Sequence, residues 1–267
     1  MISNVIMGQY VQRDSIFHSL DPRTKLICIF IFMISIFWVH NFSSYVLAAM
    51  IVLACLLLSK IPFKFFINGL RPIFIILIFI FVFHLFSATG GEVIYKYGYL
   101  TLYQEGLTEG IKMVIRIILL VLITSLLTLT TKPLDLAHGL ERILKPLEIT
   151  KLPVEQFSLM ISITLRFIPT LLSEAEKIIE AQKARGADFE HKNPVKRLYN
   201  YIPIIVPLLV ASVKRAENLS YAIDARAYGN GRGRTKYQAL KYNRTDYMAF
   251  SLFSLFFLLL ILLSRSH

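Results

Sequence analysis

A long run without charged residues is the feature that most constrains how this chain can fold. Residues 26–59 contain no Asp, Glu, Lys or Arg in 34 consecutive positions. Residues 72–91, 117–131 and 247–264 also lack formal charge. Runs of this length and purity are typical of helices that cross a lipid bilayer. Because a chain of 267 residues is too short to bury so many wholly apolar helices, the sequence predicts an all-α integral membrane protein.

The apolar runs divide into about five predicted membrane spans. A single helix of the first run would far exceed the ~30 Å hydrocarbon core at ~1.5 Å per residue, so the polar residues 40–44 are expected to break it. The spans are about 26–39, 45–59, 73–88 and 111–130 in an N-terminal transmembrane region of residues 1–131, and 247–263 in a C-terminal transmembrane helix of residues 246–267. The first two are short, so tilted or lateral helices are expected. Arg116 in the fourth is expected to reach the outer interface.

The basic residues are distributed unevenly along the chain. It carries 29 Lys and Arg against 17 Asp and Glu, and 19 of the 29 lie in residues 132–244 with only 11 acidic residues. Since cytoplasmic loops of membrane proteins are rich in Lys and Arg, the N-terminus, residues 60–71 and residues 132–245 are predicted to be cytoplasmic. The Tyr-rich loop 90–109 and the C-terminus are then expected outside a plasma membrane. A nucleic-acid surface explains this pattern less well, so no nucleic-acid partner is predicted.

Residues 132–245 are predicted to form a cytoplasmic coupling module of long amphipathic helices. Apolar residues recur at helical spacing in 153–185 and again in 194–226, and each stripe has a charged opposite face. We interpret these helices as lying along the inner face of the membrane or as a bundle beneath it, and not as spans. Prolines within both stripes, Pro169 in the first and Pro203 with Pro207 in the second, are expected to kink or break the helices.

The ends of these two helices carry the same residues at an offset of 41 positions. The shared residues are Ala175, Glu176, Ala181, Ala184 and Arg185 in the first helix and Ala216, Glu217, Ala222, Ala225 and Arg226 in the second. The match favours a duplicated unit, although chance agreement among common residues is an open alternative. Helix-end chemistry is another, because a terminal cation offsets the macrodipole by about 0.3–1 kcal/mol and Gly186 is a natural helix stop.

The choice of arginine beside small residues favours a docking surface over simple helix-end chemistry. A helix-end cation could equally be Lys, and it would leave the matched alanines unexplained. Small residues around a planar guanidinium suit insertion of a helix end into a groove, where the fork can bind carboxylates or carbonyls through two hydrogen bonds. Two such ends indicate a partner with two similar grooves, and hence a dimer or pseudo-dimer.

Four further blocks of sequence extend over nearly the whole chain. They are Gly8-Gln9-Tyr10 with Asp14-Ser15 and Leu20-Asp21-Pro22-Arg23-Thr24-Lys25-Leu26; Thr130-Thr131-Lys132-Pro133 with Lys145-Pro146-Leu147; Ser162-Ile163-Thr164-Leu165-Arg166-Phe167-Ile168-Pro169-Thr170; and Ala184-Arg185-Gly186 with Arg215-Ala216-Glu217 and Ala225-Arg226-Ala227. In this combination the chain resembles the transmembrane (T) component of energy-coupling factor transporters, which are ATP-driven importers of vitamins and transition-metal ions.

The resemblance implies a non-catalytic coupling subunit in an importer of vitamins or other micronutrients. In that family each Ala-Arg-Gly-type motif docks onto one of two ATP-binding cassette ATPase subunits, identical or paralogous, and passes their motion to a separate substrate-binding membrane (S) subunit. The docking residues that the resemblance implies here are Ala184, Arg185, Gly186, Ala225, Arg226 and Ala227. Ala227 stands where Gly is frequent, which leaves the turn at Tyr228-Gly229 open. ATP-Mg is expected on the partner ATPases, and no cofactor on this chain.

A conventional transporter permease that binds its own substrate is the alternative function. It would need a polar cavity within the spans, for which Arg116 and a few Ser, Thr and His residues are the candidates. A membrane enzyme is a third interpretation, but no span holds a pair of carboxylates and the six histidines do not cluster. No Gly-x4-Gly-Lys-Ser/Thr phosphate loop is present either. The sequence therefore predicts no catalytic and no metal-binding residues.

Overall fold

A computed structural model describes residues 10–39, 41–87, 90, 92–97, 100–146, 154–187, 189, 193–228 and 242–265. The helices are α1 Ile16–Ser19, α2 Pro22–Ser35, α3 Phe42–Ser59, α4 Phe63–Leu70, α5 Phe74–Ser87, α6 Gln104–Thr130, α7 Pro133–Leu144, α8 Val154–Ala184, α9 Pro194–Ala225 and α10 Arg244–Arg265. Short 3-10 turns follow α2 at Ile36–Trp38 and α4 at Arg71–Ile73. The predicted all-α membrane fold is confirmed.

One small hairpin is the exception to the helical fold. Strands β1 Val93–Tyr97 and β2 Leu100–Tyr103 pair antiparallel, with Tyr97 opposite Leu100 at the turn. From sequence this stretch was expected to be part of a loop. Its β-branched and aromatic residues favour strands, which accounts for the difference.

Four helices are long and apolar enough to cross a membrane, judged by length and composition over the described residues. They are Phe42–Ser59, Phe63–Ser87, Gln104–Thr130 and Gln156–Ala184. The second of these joins α4, the 3-10 turn and α5 into one continuous helical segment. The first three overlap the predicted spans 45–59, 73–88 and 111–130. The predicted spans 26–39 and 247–263 coincide largely with α2 and α10. Gln156–Ala184 lies in the segment that the sequence predicts to be cytoplasmic. The Glu and Lys residues of its C-terminal part favour the cytoplasmic placement, which stays a prediction.

The described residues form two compact units. One contains those of 9–143 and 240–267, and we call it the membrane unit; the other contains those of 144–239, and we call it the two-helix unit. Helix α7 belongs to the membrane unit although it follows the predicted span 111–130. It packs closely on the start of α2, where a Cβ on Gly139 would lie 3.0 Å from the Pro22 Cβ atom.

The core of the membrane unit is made mainly by helices α2, α3, α6 and α10, with Phe66 of α4. Phe32 of α2 stacks on Phe256 of α10, with ring centroids 5.7 Å apart. Other side chains that are almost completely buried here are Ile36, Ala48, Val52, Ile123, Leu126 and Leu260. Large apolar residues such as Ile75 and Phe79 in α5 are exposed instead. Exposed apolar faces around a packed core are what a helix bundle in lipid requires.

Helix α2 begins at a buried polar junction. The Asp21 carboxylate accepts hydrogen bonds from the Arg23 backbone N–H at 2.9 Å and from Arg23 Nη2 at 2.7 Å, and Pro22 occupies the first helical turn. Asp246, at the start of α10, accepts from the backbone N–H groups of Asp21 at 2.9 Å and Asn243 at 2.7 Å. A capping carboxylate followed by proline is typical of a helix N-terminus. The two carboxylates also fix the first turns of α2 and α10 to each other.

Lys25 belongs to the same junction. It precedes the apolar run of α2 and is only 5% exposed. Its Nζ donates hydrogen bonds to the Thr130 carbonyl and to Thr131 Oγ1, both at 3.1 Å. Burial lowers the pKa of Lys25 to about 8. The lysine therefore joins the start of α2 to the end of α6, and its ammonium satisfies a carbonyl that the helix end leaves open.

Arg116 of α6 is hydrogen-bonded to residues on both sides of the break between α2 and α3. Its predicted reach to the outer interface stays a prediction. Its Nη2 donates to the Val39 carbonyl at 3.0 Å and to the Tyr45 hydroxyl at 2.9 Å. Val39 follows the 3-10 turn that ends α2, and Tyr45 lies in the first turns of α3. Arg116 thus fixes the break between the first two predicted spans.

In the two-helix unit, α8 and α9 run through their prolines. Pro169 lies inside α8, and Pro203 and Pro207 lie inside α9. Of the two predicted outcomes, a break is therefore wrong, and a kink stays a prediction. Each proline removes one backbone hydrogen bond, and helices of 31 and 32 residues retain enough others to continue.

Candidate docking site

The end of α8 is a tight, fully hydrogen-bonded turn. The N–H of Ala187 donates to the Gln182 carbonyl at 3.0 Å, and the N–H of Gly186 donates to the Lys183 carbonyl at 2.9 Å. Gly186 has a φ of +87°, in the left-handed region. This pair of bonds around a left-handed residue is the Schellman motif. It stops the helix directly after Arg185.

The end of α9 has the same arrangement. The N–H of Tyr228 donates to the Ile223 carbonyl at 3.2 Å, and the N–H of Ala227 donates to the Asp224 carbonyl at 2.8 Å. Ala227 has a φ of +50°. Each of these residues lies 41 positions after its counterpart at the end of α8. The match in sequence therefore extends to the backbone hydrogen bonds and dihedral angles.

Ala227 adopts the conformation that Gly186 adopts in α8. A Cβ atom makes the left-handed conformation unfavourable by about 1–2 kcal/mol, so Ala227 is held there by the two hydrogen bonds of the motif. The departure from glycine at this position therefore leaves the turn through Tyr228 intact. Gly229, the second residue of the turn that the sequence left open, lies outside the described residues.

The residues predicted to dock are accessible. All six, Ala184, Arg185, Gly186, Ala225, Arg226 and Ala227, are exposed. Neither the Arg185 nor the Arg226 guanidinium makes a hydrogen bond or ion pair with another described residue. Each arginine therefore offers its five N–H donors to a partner, and the flanking alanines leave room for close approach.

An ion pair joins α8 to α9 ahead of these ends. Arg215 Nη2 lies 2.8 Å from Glu174 Oε2, and about a third of each side chain is exposed. The two residues are themselves 41 positions apart, immediately before the matched Ala-Glu pairs. The sequence analysis does not predict this ion pair. The only signal for it in the sequence is that the two oppositely charged residues are separated by the same 41 positions as the matched residues.

The N-terminal parts of α8 and α9 expose large apolar side chains. Those more than 50% exposed are Phe157 and Met160 in α8, and Val195, Tyr199, Ile205, Val206, Leu209, Val210 and Val213 in α9. In the same unit Ile204 and Phe189 are buried, and Phe189 packs on Tyr201 with ring centroids 5.5 Å apart. An apolar surface of this extent on a soluble unit would mark a protein or membrane contact.

The described residues offer no catalytic metal centre. Over that part of the chain, no group of three or more His, Cys, Asp or Glu side chains could hold a metal ion. The arrangement provides two exposed guanidinium groups, one on each of two matched helix ends. The two helices are joined by the ion pair between Glu174 and Arg215.

The chain is similar to known membrane transport proteins. The model of the CbiQ family, described as cobalt transport protein, matches residues 13–237. The chain is 44% identical over 247 residues to the energy-coupling factor transporter transmembrane protein EcfT of Bacillus subtilis (strain 168), covering 92% of this chain and 93% of that protein. It is 40% identical over 264 residues to the EcfT protein of Lactococcus lactis subsp. cremoris (strain MG1363), covering 99% of both. The chain therefore belongs to the CbiQ family, among the transmembrane EcfT components of energy-coupling factor transporters.

Proposed function

We propose that this chain couples ATP hydrolysis by partner subunits to the import of a vitamin or another micronutrient. The ends of α8 and α9 dock onto two ATP-binding cassette ATPase subunits, which are identical or paralogous and carry ATP-Mg. Their motion passes through the two helices to a separate substrate-binding membrane subunit. The observation that carries the proposal is the pair of exposed arginines, Arg185 and Arg226, on helix ends with the same Schellman geometry.

Arginine suits this role because its charge and shape are both fixed. A guanidinium stays protonated at any physiological pH and can make two parallel hydrogen bonds to one carboxylate. The Schellman turn sets the backbone that carries each arginine, so the backbone at each helix end needs little ordering on docking. Each arginine can then stay bonded to its groove on the ATPase while that subunit moves.

The ion pair between Glu174 and Arg215 supports joint motion of the two helices. It connects α8 and α9 about three turns before the arginines, which at ~1.5 Å per residue is roughly 16 Å from them. A displacement at one end is then passed to the other helix. The exposed apolar side chains at the N-terminal parts of α8 and α9 provide the surface for the substrate-binding subunit and the bilayer.

The proposed orientation has the N-terminus in the cytoplasm and the C-terminus outside the plasma membrane. It rests on the basic residues, most of which lie in residues 132–244. The ATPases act in the cytoplasm, where ATP is available, so both helix ends must face that side. The chain itself catalyses no reaction in this proposal and binds no cofactor.

The double substitution Arg185→Ala with Arg226→Ala tests the proposal. The full complex is purified through a tag on this chain, and co-purified ATPase subunits and ATP hydrolysis in proteoliposomes are measured. Both should be lost, because each ATPase loses its bidentate donor. Arg185→Lys with Arg226→Lys should recover part of the association, since Lys keeps the charge but not the fork.

A matched control removes two other exposed cations from the same helices. Lys177 lies on α8 and Lys214 on α9, both away from the helix ends. Replacing both by Ala removes the same net charge and should leave association unchanged. Unaltered ATPase association in the double arginine variant would refute the docking role.

A further inference from the structure

An apolar groove lies between α5 and α6 in the membrane unit. Its volume is about 590 Å³, within the ~300–1,000 Å³ typical of ligand sites. Leu77 of α5 is buried in it, while Phe74 and Ile78 are 61% and 49% exposed. Every lining residue except Arg71 is aliphatic or aromatic. The groove is therefore suited to a hydrocarbon chain.

Two close helix contacts delimit this groove. A Cβ atom on Gly69 of α4 would lie 3.3 Å from Ser125 Oγ of α6. A Cβ atom on Gly110 of α6 would lie 3.2 Å from the Phe81 ring of α5. The α6 residues that line the groove, such as Val114, come between Gly110 and Ser125. Close helix contacts at Gly69 and Gly110 therefore fix the two ends of the groove.

Arg71 is the single charged residue of the groove. It lies in the 3-10 turn before α5, it is exposed, and its guanidinium makes no hydrogen bond or ion pair with another described residue. From Arg71 to Phe81, ten residues along the helix correspond to ~15 Å, which is half of the ~30 Å hydrocarbon core. A chain that starts at Arg71 would therefore reach the middle of the bilayer.

We propose that this groove binds one anionic phospholipid of the inner leaflet. Its phosphate pairs with the Arg71 guanidinium and one acyl chain lies along Leu77 and Val114. Guanidinium groups bind phosphate through parallel hydrogen bonds, and basic residues at the cytoplasmic surface attract anionic lipids. The proposal rests on the cytoplasmic placement of residues 60–71 in the proposed function, but not on the docking of the ATPases.

Retention of phosphatidylglycerol by the full complex tests this proposal. The complex is reconstituted in nanodiscs of equal phosphatidylglycerol and phosphatidylcholine, released into mild detergent, and examined by native mass spectrometry. The intact chain should retain one phosphatidylglycerol in preference to phosphatidylcholine. Arg71→Gln should lower that retention about fivefold, as expected for one cation at a lipid surface.

Two further variants separate lipid binding in the groove from a general charge effect and from binding of another subunit. Lys64 is an exposed cation of α4 that does not line the groove, so Lys64→Gln should leave retention unchanged. Val114→Phe narrows the groove and should lower retention without removing charge. Equal retention of the two lipids, or no effect of Arg71→Gln, would overturn the proposal. Loss of the substrate-binding subunit on Val114→Phe, with lipid retention unchanged, would identify that subunit as the occupant and overturn it as well.

Because retention is measured separately from ATPase association, the two proposals fail independently. A complex that keeps its lipid but not its ATPases would contradict only the docking role. A complex that keeps its ATPases but shows no lipid preference would contradict only the lipid site.

Discussion

Arg215 donates a hydrogen bond from Nη2 to Oε2 of Glu174 at 2.8 Å, and these residues occupy equivalent positions in α9 and α8. In a two-fold symmetric contact, residues near the axis meet their own equivalents. At this contact the two helices therefore meet through equivalent positions, although the residues at those positions differ. Glutamate on one copy and arginine on the other turn what would be a repulsion between like charges into an attraction.

Exchanging the two charges tests this relationship. Glu174→Arg or Arg215→Glu alone places like charges together and should lower stability by about 0.5–1 kcal/mol, because both groups are partly exposed. The double exchange should restore most of that loss. Thermal unfolding of the purified complex gives the three values, and ATP hydrolysis in proteoliposomes should follow the same order. If the stability loss of the double variant equalled the sum of the losses of the two single variants, the contact would not join the helices.

The turns that end α8 and α9 predict substitutions with opposite effects. Gly186→Ala should destabilise the unit by about 1 kcal/mol, because alanine disfavours a positive φ, and no atom lies within 4 Å of the added Cβ to change that cost. Ala227→Gly should stabilise the end of α9 by a similar or smaller amount, since glycine removes the penalty but loses more entropy on folding. Hydrogen exchange of the Ala187 and Tyr228 amides measures both effects. Changes of the same sign would contradict the shared geometry.

The apolar spans could be predicted from sequence because the absence of charge over many residues is a local property. The matched helix ends were equally local, since each is a short pattern repeated at one offset. Contacts such as Lys25 with Thr130 or Arg116 with Val39 could not be predicted, because they join residues 105 and 77 positions apart with no periodic signal.

Helix continuity through proline was also beyond the sequence. The sequence predicts a kink or a break at Pro169, because the local cost of a missing N–H is known. Whether a helix continues depends on the remaining bonds and packing of the whole helix, which no local window contains. The identity and spacing of the docking residues follow from the sequence, whereas the left-handed conformation of Ala227 required the structure.

Arg116 predicts a strong dependence of the membrane unit on one side chain. Arg116→Met removes charged hydrogen bonds to the Val39 carbonyl and the Tyr45 hydroxyl and should lower stability by about 2–3 kcal/mol. Tyr45→Phe removes one of the two and should have about half that effect. Unfolding of the complex in mild detergent by a thiol-independent thermal assay gives the comparison.

The matched control for Arg116 lies one turn earlier in α6. Lys112 pairs with Glu109 at 2.7 Å across an exposed surface, so Lys112→Met should change stability by no more than about 0.5 kcal/mol. If the two methionine variants were equally stable, the hydrogen bonds of Arg116 would not hold the turn between α2 and α3.

The contact of α7 with α2 predicts the effect of enlarging Gly139. Its Cβ would lie 3.0 Å from the Pro22 Cβ and 3.3 Å from the Arg23 backbone nitrogen, both of which are rigid parts of the first turn of α2. Gly139→Val must therefore push α7 away, and we expect a loss of about 1–3 kcal/mol. Leu140, the next residue, is 43% exposed, so Leu140→Ala should cost far less. Measured by the midpoint of thermal unfolding, Gly139→Val should fall well below Leu140→Ala. Equal midpoints would mean that α7 can separate from α2 without loss of the packing at Pro22.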